Sequence, residues 1–400
     1  MNIYVFEDQK SLNFEPLSLT RPVFDIRIGS ENFLERIQFL FPNSDITIFV
    51  REDLEEITRD KYPNFNVNPQ SIDDGLWLLG NVIWEQDDLS NLTEENSIYY
   101  YKNNFVAANL NSDQGKQWLK DGGPTHTIPE IKNKCNIEVG YCEYLWEIIE
   151  RIPSTINYES NYFEGDLDFM EDVVQQKTNT KNIFADECLI EEGVFFDTSE
   201  GPILIGVGAE ISGPSYLKGP LYIGSSTYVE PLTQIKKSVI GNSCKIGGEI
   251  DSVIIQGYTN KVHEGHLGDA FLGEWVNLGA GTINSNLKNN YESVKVHVND
   301  QSVDTSKIHV GCFIGDHVKT AIGTLINTGT VIGPGSMIAT DGFPPKTIKP
   351  FTWFVKGKHR EVLFEKFIKT AEIVKRRRGQ KILVSEKQLL KKIKISCKSD

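Results

Sequence analysis

The chain has 400 residues, 39% of them hydrophobic and 24% charged, with a formal net charge of −14. That length exceeds what one core ordinarily supports, so two domains are expected, and the acidic body speaks against nucleic acid as a partner. No apolar run approaches the roughly 18 residues of a membrane span, and no charged-then-apolar leader opens the chain, so no membrane partner and a cytoplasmic location are expected.

The first stretch alternates in α/β fashion. Asn2 to Phe6 (NIYVF) reads as a buried strand, and Glu31 to Phe41 carries Phe33, Leu34, Ile37 and Leu40 at the spacing of an amphipathic helix. Asp45 to Val50 is a second strand, Arg51 to Arg59 a second helix, and Leu76 to Trp84 a third strand broken by Gly80. Strand, crossover helix, strand implies a parallel sheet, and such sheets bind ligands beyond the carboxyl ends of their strands. The loop after the first strand, Glu7 to Gly29, carries Asp8, Arg21, Asp25 and Arg27 but no Gly-rich phosphate cradle. Tyr144 to Ile152 reads as a helix that Pro153 ends. The polar, acidic stretch from Asn161 to Lys181 places a domain boundary between 165 and 185.

From about Ile183 a period of six takes over. It runs through Ile205, Ile211 and Leu217, then Ile223, Val229 and Ile235, then Ile240 and Ile246. It continues at Leu272 and Leu278 and returns after a break at Ile314, Thr320, Ile326, Ile332 and Ile338. One inward aliphatic per six residues, followed by Gly or a small residue, marks a parallel β-helix whose stacked coils bury what one coil cannot. The period ends at Asp341 to Lys349 with paired prolines. Phe351 to Val355 is an aromatic patch expected to pack on the last coils. Arg360 to Arg378 reads as a helix capping the solenoid, with Gly379 as its C-cap. From Phe343 onward 13 Lys and 4 Arg face 5 acidic residues, so the tail is basic and the rest strongly acidic. Such a tail meets phosphates or an acidic neighbouring subunit, or is simply a solvated face.

The six cysteines, Cys135, Cys142, Cys188, Cys244, Cys312 and Cys397, form no CxxC pair and read as reduced thiols. His263 stands in a loop between rungs, beside Glu264 and three residues before His266. An imidazole accepts a proton near neutral pH, as acylation of an amine or hydroxyl requires, and the turn Gly279 to Thr282 offers backbone N–H groups to a developing oxyanion. An ordinary exposed loop histidine is the plain alternative. The spacing H-E-G-H is not the helical H-E-x-x-H of a zinc site, so no metal is expected there. Asn277 and Asn286, within the rungs, either satisfy turn backbone or touch a ligand.

The stretch KVHEGHLGDAFLGEWVNLGAGTINSN resembles the acetyltransferase half of the bifunctional glucosamine-1-phosphate acetyltransferase/N-acetylglucosamine-1-phosphate uridyltransferase family. The matching residues are His263, then Leu267-Gly268-Asp269, Val276-Asn277, Gly279 to Thr282, and Asn286. The N-terminal PLSLTRPVFDIRIG looks like a divergent branch with a sugar nucleotidyltransferase-like first domain. The resemblance implies a Rossmann-like nucleotidyltransferase domain over 1–175, a left-handed parallel β-helix of hexapeptide repeats over 183–342, and a basic helical cap over 343–400. It also implies a homotrimer, acetyl-CoA as substrate held between neighbouring solenoids, and His263 as catalytic base. His266 and Asn277 then touch the acceptor, and Ala280 and Asn286 lie near acetyl-CoA. In the first domain, Asp8, Arg21 and Asn81 are the nucleotide-binding candidates, with Mg²⁺ as the cofactor that such domains use.

Two departures bear on activity. The family's metal-binding Gly-Asp is Gly80-Asn81 here, and an amide lacks the charge that holds Mg²⁺, which puts nucleotidyl transfer in doubt unless Asp8, Asp25, Asp87 or Asp88 substitutes. The cations that grip the sugar phosphate align with Glu230 and Asp251. A phosphate at about 4 Å from such a carboxylate is repelled by about 4 kcal/mol at an effective dielectric near 20. Glucosamine-1-phosphate is therefore expected to be a poor acceptor unless Lys236, Lys237 or a tail lysine intervenes. The leading expectation is an acetyl-CoA-dependent N-acetyltransferase of an amino sugar or its phosphate, within sugar-nucleotide metabolism. The alternative is a catalytically silent trimer that binds a sugar nucleotide as sensor or scaffold.

Overall fold

The structure, a computed structural model, describes residues 1–163, 182–185 and 187–397. The N-terminal part is built on a seven-stranded sheet. Its strands are β1 (Asn2–Phe6), β2 (Asp45–Phe49), β3 (Asn66–Val67), β4 (Gly75–Leu79), β6 (Ser97–Tyr101), β7 (Asn104–Leu110) and β8 (Asn133–Asn136), in the order β3-β2-β1-β4-β7-β6-β8. The short β5 (Val82–Ile83) lies off this sheet and pairs with Gly140–Tyr141. β1 runs parallel to both β2 and β4, as the strand–helix–strand pattern requires, whereas β7 is antiparallel to β4 and β6. The apolar run NIYVF is buried because helices and loops cover both faces of the sheet.

Helix α1 (Phe33–Leu40) starts where Asn32 accepts the Glu35 N–H while the Glu35 carboxylate accepts the Asn32 N–H, a reciprocal capping box. A 3-10 turn, Glu52–Leu54, leads into α2 (Glu55–Lys61). The short α3 (Gln86–Leu89) and α4 (Ser112–Lys120) follow. Pro153 does not end the helical segment. α5 (Leu145–Glu150) gives way to α6 (Ile152–Glu159), with Pro153 in its first turn, where a missing N–H costs nothing. The expected domain boundary falls largely on 164–181, which lie outside the described residues.

The coils follow the six-residue period. Ile205 pairs with Ile223, Ile223 with Ile240, Ile240 with Ile255, and Ile255 with Leu272, each one coil further on. Leu272 then pairs with Ile314, Ile314 with Ile332, and Ile332 with Ile348. The break in the period is an excursion from one coil that carries the hairpin Lys295–Val298/Gln301–Asp304. The inward aliphatics are buried to within a few per cent and form one continuous core. At one corner, Tyr258, Trp275 and His317 adopt φ of +52°, +61° and +61° on successive coils. Bulky residues rarely enter this region, at about 1–2 kcal/mol each. Here their rings stack, Tyr258 on Trp275 at 4.4 Å and Trp275 on His317 at 6.3 Å.

The tail lies on that stack. Lys358–Glu361 pairs antiparallel with Thr352–Val355, so the expected helix begins later, as α7 (Phe364–Arg376). Gly379, at φ +69°, sits just past its end as expected. Phe367 meets His317 edge-on at 5.5 Å and Lys375 Nζ stands 5.2 Å from the Trp275 ring centre. A second helix, α8 (Val384–Ser396), returns to the first domain, where Ser385 donates to Asp60. The basic tail pairs within its own chain, through Lys375–Glu386, Lys387–Glu372 and Lys394–Glu361.

The two halves share an interface. Between inward residues, one face of the β-helix points Leu204, Tyr222, Val239, Ile254, Phe271, Phe313 and Val331 outward, yet all are buried in one apolar cluster that includes the first domain's core. Trp146 of α5 packs on Phe313 at 5.8 Å. Around this apolar stripe Arg21 bonds Asp316 at 2.6 Å and approaches Glu274 at 3.4 Å, and the Arg27 backbone N–H donates to Gln256. A cavity of about 290 Å³ remains where loop, β-helix and tail meet. Three ion pairs stand in its wall: Lys61 with Asp25, Lys375 with Glu386, and Arg21 with Asp316.

Candidate active site

In the first domain the strand order reverses between β1 and β4, the position at which open α/β sheets bind ligands. The loop 7–29 folds back into that crevice. Phe24 is fully buried, and a Cβ on Gly80 would lie 3.0 Å from the Phe24 side chain, so the ring fills the space beyond β4. Glu7 is consumed in holding the loop, accepting from the Val23 N–H at 2.7 Å and from Arg51 Nε at 3.3 Å. Arg21 points away from the sheet to the β-helix carboxylates. Burial alone would lower its pKa, but Asp316, Glu274 and Asp25 hold it protonated well above its ordinary value.

Asn81 is sealed from solvent. Its Nδ2 donates to the Cys142 carbonyl at 2.6 Å, and its buried Oδ1 has no hydrogen-bond partner among the described residues. An uncharged, enclosed amide does not fit a hydrated Mg²⁺, which keeps several waters and favours carboxylates. Asp8 caps the turn that follows β1 by accepting the Lys10 N–H, and burial pushes its carboxyl up to about 6. The three nucleotide-binding candidates thus hold a turn, an interdomain contact and a loop, and do not converge on one opening.

The β-helix candidates do converge in part. The turn from Val262 to Gly265 crosses the edge of one coil with His263 and Glu264 exposed. Asn260 bridges to Asn277, a register that sets Ala280 one coil on from His263 along the same edge. His266 opens the next strand, its Nδ1 3.5 Å from Glu249 Oε1 on the coil below. A Cβ on Gly268 would meet His266 Nε2 at 2.5 Å and Asn286 Nδ2 at 3.0 Å, so these two side chains close over that glycine. Asn286 also donates to Asp269 Oδ2 at 2.6 Å, while burial raises the Asp269 carboxyl against that bond.

Asn277 is exposed and bridges to Asn260 on the coil below. Its Oδ1 accepts from Asn260 at 3.3 Å, and Asn260 in turn accepts from Arg378 of the tail at 2.7 Å. In the turn 279–282 the Gly279 N–H goes to Thr320 Oγ1 and the Thr282 N–H to the Gly279 carbonyl. Asp251, aligned with a phosphate-gripping cation, is paired with Lys236 at 2.9 Å, which partly offsets its charge. On the His263 edge, Leu232 and Ile322 are 77% and 80% exposed, large apolar residues left in solvent by a single chain.

Two residues escape a reading by period alone. Asn284 is buried inside the coil, bonding the Gly268 N–H and carbonyl, both at 2.8 Å. Lys261 occupies the inward place next to His263 and is 2% exposed. Six-residue counting from Ile255 reaches Lys261 and then Leu267, so the register was the available signal.

Residues 3–166 match the sugar nucleotidyl transferase family. The bifunctional sugar-1-phosphate nucleotidylyltransferase/acetyltransferase of Sulfurisphaera tokodaii is 33% identical over 156 residues, 36% of this chain and 38% of that protein. The bifunctional protein GlmU of Methanocaldococcus jannaschii is 27% identical over 342 residues, 82% of this chain and 77% of that protein. That of Carboxydothermus hydrogenoformans is 29% identical over 224 residues, covering 45% of this chain and 47% of its own. The match therefore spans less than half of the Sulfurisphaera and Carboxydothermus relatives and about three quarters of the Methanocaldococcus one. With a nucleotidyl transferase-like sheet followed by a parallel β-helix, the chain is similar to these bifunctional proteins in both of its halves.

Proposed function

We propose that this protein is a transferase of sugar-nucleotide metabolism that acetylates the amine of an amino sugar, phosphorylated or free, from acetyl-CoA. The reading is carried by the exposed His263 with Ala280 one coil on along the same edge, and by His266 and Asn286 closing together over Gly268. The acceptor amine attacks the thioester carbonyl while His263 takes the amine proton, and coenzyme A leaves as its thiol after reprotonation. His266 and Asn277 orient the acceptor, and Ala280 and Asn286 flank acetyl-CoA. Lys236 pairs with Asp251 and so lessens the repulsion that this carboxylate offers a phosphorylated acceptor. The exposed Leu232 and Ile322 on this edge support a homotrimer in which a neighbouring solenoid covers the acetyl-CoA site. The first domain contributes architecture: Phe24 in its crevice and Asn81 behind it argue against nucleotidyl transfer.

The test is acetyl transfer to glucosamine-1-phosphate, free glucosamine and a nucleotide-linked amino sugar, alongside the mass in solution. His263→Ala is expected to slow transfer by about 10²–10⁴-fold while acetyl-CoA binding persists. Equal turnover in mutant and wild type removes His263 from the chemistry. A monomer mass by light scattering removes the shared acetyl-CoA site.

A further inference from the structure

One column of inward positions in the β-helix runs Ile211, Val229, Ile246 and then Lys261, through successive parallel pairs. The bridge from Asn260 to Asn277 continues it to Leu278. Lys261 is the place in this column where an aliphatic gives way to a charge. Ile246 below it and Leu278 above are 0% and 3% exposed, so the lysine stem is packed as a core residue. Its Nζ donates to the Gly247 carbonyl at 3.0 Å and to the His263 carbonyl.

The coil below is stripped of side chains to receive this turn. A Cβ on Gly247 would lie 1.9 Å from the Val262 carbonyl oxygen. Gly248 has φ +87°, and a Cβ there would come within 3.0 Å of the His263 carbonyl, the Gly265 carbonyl and Lys261 Nζ. The His263 turn therefore rests on bare backbone, with the lysine ammonium bonded to a carbonyl on each side of the gap.

We propose that Lys261 is the positioning residue of the His263 turn, tying the His263 carbonyl to the Gly247 carbonyl one coil below and so fixing where the imidazole stands. An aliphatic would fill this rung at lower cost, because burying an ammonium forfeits its hydration. Burial accordingly lowers the amine to about 8, against the opposing pull of Glu264. The arrangement makes sense where geometry matters more than stability, since displacing a catalytic group by about 1 Å costs on the order of 10²-fold in rate. The inference rests on His263 being the base, and the experiment separates the two claims.

Lys261→Met keeps the length of the stem and removes the donors. Amide hydrogen exchange over residues 263–266 is expected to quicken by about tenfold or more, with exchange in the other coils unchanged. With an acceptor from the panel above, kcat is expected to fall roughly 10- to 100-fold, while KM for acetyl-CoA stays within about twofold. Lys261→Gln, which retains N–H donors, should recover part of both effects. Adding Lys261→Met to His263→Ala should cost nothing further. Unchanged exchange at 263–266 in folded Lys261→Met overturns the positioning role, whatever the kinetics show. If Lys261→Met does not fold, the same exchange measurement on Lys261→Gln decides: protection equal to wild type supports the anchor, and protection lost despite the donors overturns it. Full turnover in His263→Ala, with exchange quickened in Lys261→Met, refutes the base and leaves the anchor standing.

Discussion

Lys261 gives the β-helix a pH signature that can be isolated by one substitution. Its folded amine loses its proton near 8, whereas the unfolded chain keeps it until about 10.5. Below pH 8 both states are charged and the native state bears the whole desolvation cost. Between 8 and 10.5 the unfolded state binds more protons, so stability rises with pH by about 1.4 kcal/mol per unit, on the order of 3 kcal/mol across the window. Lys261→Met lacks this term. The wild type is therefore expected to gain on the mutant between pH 7.5 and 9.5, with the difference in Tm moving steadily in the wild type's favour; a pH-independent difference would show that the amine is not buried. Buried tyrosines and cysteines titrate alike in both proteins and cancel. At this scale His263 was legible because it interrupts a repeat. Lys261 was not, because a lysine among rungs resembles any solvated residue until the register places it inside.

At the scale of elements, period and capping carried the reading, and neighbours supplied what they could not. Ile205, Ile223 and Ile240 stack as their spacing requires. The residues beside them, Leu204, Tyr222 and Val239, are also apolar, and this was a sign that the face is covered; period six counts only the inward place. Pro153 and Arg360 misled for local reasons, one tolerated in a first turn and the other drawn into a strand pair with Trp353. Helix α8 went unread because its apolar face is narrow, yet Leu389, Leu390 and Ile393 are buried between tail and first domain. Each such side chain contributes about 1.5–3 kcal/mol when covered. A chain ending at Gln380 is expected to melt several degrees lower in a thermal scan, and an unchanged Tm would mean that α8 adds nothing to the fold.

For the whole molecule the consequential fact is where the first domain's loop goes. Thr20 and Arg21 both reach Asp316, at 2.7 and 2.6 Å, and the apolar stripe lies beneath. A nucleotidyl transferase-like sheet whose crevice is filled by Phe24, and whose loop is bonded to the β-helix, is held as a partner of the second domain. Two independently melting domains are then not expected: calorimetry should show one transition. Arg21→Met leaves Asp316, Glu274 and Asp25 facing one another without their shared cation, at about 3–5 kcal/mol for a broken buried pair. It should lower Tm and split the transition in two. Acid should act late on the same joint. Burial raises the Glu274 carboxyl, but Arg21, Lys61 and Lys375 outweigh it and hold it to about 2. Its contribution is thus complete above the unfolded value near 4.5 and is lost as pH falls toward 2. The single transition should therefore persist at pH 5 as at pH 7. A wild type that already melts in two steps at pH 7 would show that the stripe and the Arg21 cluster do not join the halves into one cooperative unit.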